Sequence, residues 1–184
     1  MIRTKYELNR ILKLDLERYN GKAPNLVDRM LRREHLYIWR YIVHMRHLEY
    51  YGSMSGLYKL AYMWHFVWFK RLQFKLRIAI YPNTVAEGFK LYHLGAYTHI
   101  GPNVHIGKNC TIVSGVVFGN KSEDEDNRPV IVGDNVYFGI GCKIIGPVRI
   151  GSNVCIGANA VITRDIPDNA IVGGIPARII KYKE

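Results

Sequence analysis

The chain has 184 residues, 48% of them hydrophobic, and a formal net charge of +11. Such a length and composition support one packed domain with an appendage and exclude a disordered chain. The charge is segregated, with 16 Lys and Arg against 6 Asp and Glu in residues 1–78 and 10 against 9 in residues 79–184. No nucleic-acid-binding motif accompanies the basic part, so its charge does not by itself name a partner, and none of nucleic acid is expected. The N-terminal stretch MIRTKYELNRILKLDLERYN is charged throughout, unlike a secretory signal. Cys110, Cys142 and Cys155 are odd in number and lack metal-ligand spacing, so no metal is expected and a reducing, cytoplasmic setting fits best.

Residues 1–20 space Ile2, Leu8, Ile11, Leu12 and Tyr19 among charges, which predicts a short amphipathic helix. GKAPN is a turn, with Asn25 placed to cap a second helix over residues 26–51, where Leu26, Met30, Tyr37, Tyr41, Met45 and Leu48 recur at helical spacings. His44 and His47 lie three apart on that helix; with no third ligand suggested, helix packing is the expected role. Gly52-Ser53 breaks the pattern, and a third helix is predicted from about Leu57 to Leu76. Residues 53–77 combine aromatic residues with Lys59, Lys70, Arg71, Lys75 and Arg77. A cap on the open end of a solenoid is the expected role, with peripheral membrane contact as the alternative.

From Tyr81-Pro82-Asn83 onward the chain counts in sixes. Large apolar residues fall at Ile100, Ile106, Ile112 and Phe118, then at Val132, Phe138, Ile144, Ile150, Ile156 and Ile162. Small or β-branched residues recur two places earlier, among them Val104, Cys110, Cys142 and Ala160. Glycine follows many anchors, including Gly101, Gly107, Gly119 and Gly139. This period belongs to a β-solenoid with three short strands per coil. The expected fold is therefore mainly β, a parallel β-helix over residues 79–184 behind an N-terminal helical region over residues 1–78. A polar loop at 120–129 should project from it, and the β-helix should end near Thr163, with Pro167 as a breaker and a basic tail beyond.

The hexads, the loop before PVIVGDNVYFGIG and the phrase IGANAVITRDIPDNAIVGGIPARII resemble the hexapeptide-repeat acyltransferases. That resemblance implies a left-handed β-helix. Within the superfamily the chain looks most like the serine acetyltransferase branch, and especially its shorter relatives associated with capsule and surface-polysaccharide synthesis. The family implies acetyl-CoA as co-substrate, lying along a groove between adjacent solenoids, and hence a homotrimer with active sites at subunit interfaces.

Transfer of an acetyl group from a thioester to a hydroxyl needs a base, and imidazole suits that task. The family's base is the His of an L-D-H motif about 26 residues before a Gly-Gly pair; here Leu91-Tyr92-His93 precedes Gly119 by 26 residues. The resemblance thus makes His93 the expected general base. His99 and His105, one place before hexad anchors, are expected to be surface residues. By motif match Gly119, Gly139, Ile140 and Ala158 should line the acetyl-CoA groove, with Arg178 and Lys181 near its phosphates.

The departures bear on the acceptor. Where the family has an orienting Asp upstream, this chain has Ala79-Ile80-Tyr81-Pro82; Tyr92 replaces the Asp of L-D-H; and Asn127-Arg128-Pro129 replaces the R-H-P of the serine clamp. Tyr92, Asn127 and Arg128 are accordingly the candidate acceptor-binding residues, and Glu87 or the loop acids Glu123 to Asp126 the candidates for orienting His93. The leading expectation is an O-acetyltransferase acting on a saccharide. The alternatives are a serine acetyltransferase of cysteine synthesis and a catalytically silent scaffold.

Overall fold

The structure is a computed structural model that describes residues 2–120 and 128–183. The chain divides into two compact units, Met1–Ile78 and Ala79–Glu184.

The first unit is helical. α1 (Lys5–Glu17) begins in a capping box, in which Thr4 accepts from the Glu7 amide while the Glu7 carboxylate accepts from the Thr4 amide. α2 (Leu26–Met30) starts the same way, with Asn25 and Asp28 as the reciprocal pair. The expected helix over 26–51 is thus two: Arg32 turns left-handed at φ 48°, and α3 (Glu34–Tyr51) starts afresh. Arg33 and His35 both reach back to the Asp28 carboxylate, at 3.0 and 3.1 Å, which holds the turn closed. α4 (Tyr58–Leu76) packs along α3, with Tyr41 stacked on Phe69 at 4.8 Å.

α1 and α3 are joined by a buried charge network. Arg46 Nε donates to Asp15 at 2.8 Å and Nη1 to Glu49 at 3.0 Å, with all three side chains withdrawn from solvent. Removing one partner from such a network costs about 3–5 kcal/mol, because the others stay buried and uncompensated.

The second unit is the predicted solenoid, built of five coils. After β1 (Ile78–Ile80), the first coil runs through Val85, β2 (Lys90–Tyr92) and β3 (Thr98–Ile100). β4 (Val104–Ile106), β5 (Thr111–Val113) and β6 (Val117–Asn120) make the second, and β7 (Val130–Val132), β8 (Tyr137–Phe138) and β9 (Lys143–Gly146) the third. β10 (Arg149–Ile150), β11 (Cys155–Ile156) and β12 (Val161–Ile162) form the fourth; Ile166 and β13 (Ala170–Gly173) form the last. Three sheets result, β1-β3-β6-β9-β12, β4-β7-β10 and β2-β5-β8-β11-β13, with parallel pairing throughout them, as in a left-handed β-helix.

The hexad anchors form the shaft. Leu91, Ile112, Phe138, Ile156 and Val172 stack in register on one wall, and all are buried. The residues two places earlier point inward as well; burial pushes the Cys142 thiol up to about 12, so it serves as a small hydrophobe.

Two boundaries differ from expectation. β1 pairs with β3 upstream of Tyr81, so the solenoid's first strand lies before the Tyr-Pro turn. The β-helix also continues past Thr163 to Gly173: a spacing of four replaces six, and Ile166 takes the next anchor, bridging to Ile150. Pro167 follows that anchor and does not stop the coil. The basic tail is itself a strand, β14 (Arg178–Tyr182), antiparallel to β13, which covers the last edge of that sheet.

Candidate active site

His93 stands at the corner where β2 gives way to β3, with its backbone left-handed at φ 63°. For a residue other than glycine that conformation costs about 1–2 kcal/mol. Elsewhere in the described solenoid such residues are all asparagines, namely Asn83, Asn109, Asn135, Asn153, Asn159 and Asn169. Asparagine tolerates the conformation because its short side chain bonds locally. His93 is the exception. Its imidazole is exposed and packs edge-on against the Tyr92 ring at 4.3 Å.

The segment after His93 is pinned to the next coil. Ser114 takes its place beside His93 in the ladder, with its amide donating to the Tyr92 carbonyl at 3.0 Å. Ser114 Oγ accepts from the Ala96 amide at 2.9 Å, and Thr98 Oγ1 accepts from the Gly115 amide at 3.0 Å. Continuing the register from β2 along the corner gives the column His93, Ser114, Ile140, Ala158. Ile140 and Ala158 are exposed, as His93 is, whereas Ser114, between His93 and Ile140, is buried under the Ala96 segment, so two of the expected groove residues share the column with the candidate base. Lys143 braces this corner from behind, its ammonium donating to the Gly115 and Gly141 carbonyls at 2.7 and 2.9 Å. Nothing in the hexad pattern flags that lysine or Ser114; their roles appear only once the coils are stacked.

The expected groove residues do not all share this corner. Gly139 adjoins it, but a Cβ there would meet the backbone of Ile156–Ala158 at 2.7–2.8 Å, so its glycine serves coil stacking. Gly119 is the third residue of the four-residue β6, about 10 Å along that strand from the corner it leaves. A Cβ on it would meet only the Ile145 side chain, at 3.8 Å, so packing does not demand glycine. Gly119 lines a cleft of about 260 Å³ together with His99, Asn103, Phe118, Asn120 and Arg128. Arg178 and Lys181 are exposed on β14.

His99 departs from its expected surface role. It is half-buried in the cleft wall, between Tyr97 and Tyr81, and its Nδ1 donates to the Phe118 carbonyl at 3.1 Å. Because a carbonyl only accepts, a neutral His99 keeps its lone pair on Nε2. His105 is exposed, as expected. Of the acceptor candidates, Tyr92 is beside His93 and Arg128 is in the cleft, whereas Asn127 lies outside the described residues. Glu87 is at the entry to β2, with its carboxylate 3.1 Å from Lys108 Nζ; Glu123 to Asp126 also lie outside the described residues. In the helical unit His44 and His47 pack with His65, and among the described residues no cluster of three or more His, Cys, Asp or Glu is arranged to hold a metal ion.

The model "Bacterial transferase hexapeptide (six repeats)" matches residues 92–120 and 129–164. The solenoid thus carries the hexapeptide repeat of bacterial transferases over these residues, and the relatives it resembles are serine acetyltransferases. A serine acetyltransferase of Staphylococcus aureus is 42% identical over 73 residues, which is 40% of this chain and 34% of that protein. One of Staphylococcus epidermidis is 43% identical over 75 residues, 41% of this chain and 35% of that protein. These alignments span about a third of the curated relatives. The crystal structure of serine acetyltransferase from Brucella abortus strain S19 superposes with a TM-score of 0.72 at 25% identity, covering 97% of this chain and 70% of that one.

Proposed function

We propose that the chain is an acetyl-CoA-dependent O-acetyltransferase, with His93 as general base and a saccharide hydroxyl of surface-polysaccharide synthesis as acceptor. The observation that carries it is His93 itself: an exposed histidine held left-handed where the solenoid's other left-handed residues are asparagine or glycine, in one column with the exposed Ile140 and Ala158. Strain of that kind persists where a site needs the side chain aimed. His93 takes the acceptor's hydroxyl proton as the oxygen attacks the thioester carbonyl. The new C–O bond forms, the C–S bond breaks, and the leaving thiolate takes the proton from the imidazolium.

Acetyl-CoA is a substrate in this reading, and the exposed Ile140 and Ala158 at neighbouring coils offer it apolar contact. Gly119 and Arg128 belong to the second half of the site, at the neighbouring corner. The two halves sit on different corners of one solenoid, so in this reading a second subunit brings its own cleft to the His93 corner within a homotrimer.

The choice of acceptor rests on Tyr92, Ala79 and Arg128, which stand where the resemblance calls for the serine-binding and orienting groups. Tyr81, Tyr92 and Tyr97 present flat, partly exposed rings around the two histidines, and such rings pack readily against a sugar face. A second reading, serine acetylation, is favoured by the names of the matched relatives. A silent scaffold would suit a buried His93, and this one is exposed. Purified protein incubated with labelled acetyl-CoA and a panel of sugars, nucleotide sugars and L-serine separates the readings. Saturable labelling of a sugar, with serine a poor acceptor, is expected; preferred labelling of serine reverses the assignment.

A further inference from the structure

The outward face of α4 has the wrong polarity for a helix facing water. Its inward residues Phe69, Leu72 and Leu76 are buried, as helical spacing requires. The opposite side carries Leu60, Met63, Trp64, Val67, Trp68 and Phe74, and these are exposed as well: Phe74 at 90%, Leu60 at 71% and Trp64 at 57%. Contiguous apolar exposure on this scale marks an interaction surface.

Charge narrows the partner. No Asp or Glu occurs between Glu49 and Glu87, so the helix and both its flanks are free of acid. Lys59, Lys70, Arg71 and Lys75 interleave with the apolar residues. The Lys70 ammonium lies 5.6 Å from the Phe66 ring and the Arg71 guanidinium 5.4 Å from the Trp68 ring, so cations and aromatic rings lie side by side on this face.

We propose that this face of α4 docks on an anionic lipid surface and lies in the plane of the interface. Exposed tryptophans with an apolar stripe and flanking lysines suit the boundary between headgroups and acyl chains. The helix does not cross the bilayer: among the described residues no helix is long and apolar enough to do so. A second copy of the chain is a poorer occupant. A two-fold contact through this face would set cations against cations with no carboxylate between them.

The test is co-sedimentation of the full chain with phosphatidylcholine vesicles, plain or containing about a quarter phosphatidylglycerol. Wild type should pellet with the anionic vesicles about tenfold more than with the neutral ones, and less at high salt. Phe74→Ser and Lys70→Glu should each lower that fraction several-fold; neither residue is buried, so the fold is expected to survive. No pelleting with anionic vesicles at low salt overturns the proposal. So does a Phe74→Ser protein that pellets normally but has a lower mass in light scattering, because that face would then join copies of the chain.

Discussion

At the scale of single residues, His93 and Gly119 show how differently one motif is carried in sequence and in space. The distance from Leu91-Tyr92-His93 to Gly119 made both legible as a pair, yet they occupy successive corners of the triangle. What the sequence could not display is the strain. A left-handed histidine is a backbone property, visible only against the asparagines and glycines that fill the solenoid's other left-handed positions. Nor could it separate Gly139, whose missing Cβ is dictated by the next coil, from Gly119, where a side chain would fit. His99 differs from expectation for the same reason: the outward position on a strand becomes a cleft wall when Tyr81 and Tyr97 pack beside it. Replacing His93 with Ala should lower turnover by roughly 10²–10⁴-fold, the usual worth of a general base, while leaving the fold and acetyl-CoA affinity near normal. Steady-state rates and binding calorimetry on the variant check this. Unchanged turnover would move the assignment to His99, whose Nε2 is the other lone-pair nitrogen at the site.

At the scale of elements, the solenoid was readable because its period is enforced by geometry: each coil must send residues inward at fixed places or leave the shaft empty. The last coil escaped because its step from Ile162 to Ile166 is four, and the period fails where the fold does not. The helix break at Arg32 escaped because neither glycine nor proline marks it; Asp28, Arg33 and His35 hold it through side-chain pairing. The α3–α4 hairpin carries a consequence in pH. His44 Nδ1 lies 3.0 Å from His65 Nδ1, and the His47 ring stacks on His65 at 4.2 Å. Burial, and then the neighbouring charges of His47 and Arg40, hold His44 down at about 4; burial, then His47 and His44, hold His65 down at about 4. An unfolded histidine titrates near 6.5, so between those values the folded unit binds fewer protons than the unfolded one. Stability from this cluster is therefore complete above about pH 6.5 and is lost as the pH falls towards 4. Both rings are half-exposed, so solvent screening reduces the effect. Thermal unfolding of the full chain should show the midpoint falling across that window, with a shallower fall in His65→Gln. Parallel curves for the two proteins would show that the cluster does not set the slope.

At the scale of the whole molecule, the proposed reaction is one that adjacent chains would share. In that proposal the His93 corner would supply the base beside the exposed Ile140 and Ala158, whereas the cleft with Arg128, Asn103 and Asn120 opens at the next corner of the same coil stack. A three-fold arrangement of triangular solenoids would turn each chain's first corner towards its neighbour's second, giving three equal sites with every contact satisfied. Cyclic closure of this kind uses one pair of complementary surfaces and leaves none over. The exposed Tyr137 and Ile140 lie on this side of the solenoid and give such a contact apolar material. Light scattering on the full chain at micromolar concentration should return about three times the 21.2 kDa of one chain. Ile140→Asp, which places a charge at this exposed position, should shift the mass towards that of the single chain and abolish acetyl transfer together with it. An Ile140→Asp protein that is monomeric and fully active would show that one solenoid holds a complete site, and the shared-site arrangement would be lost.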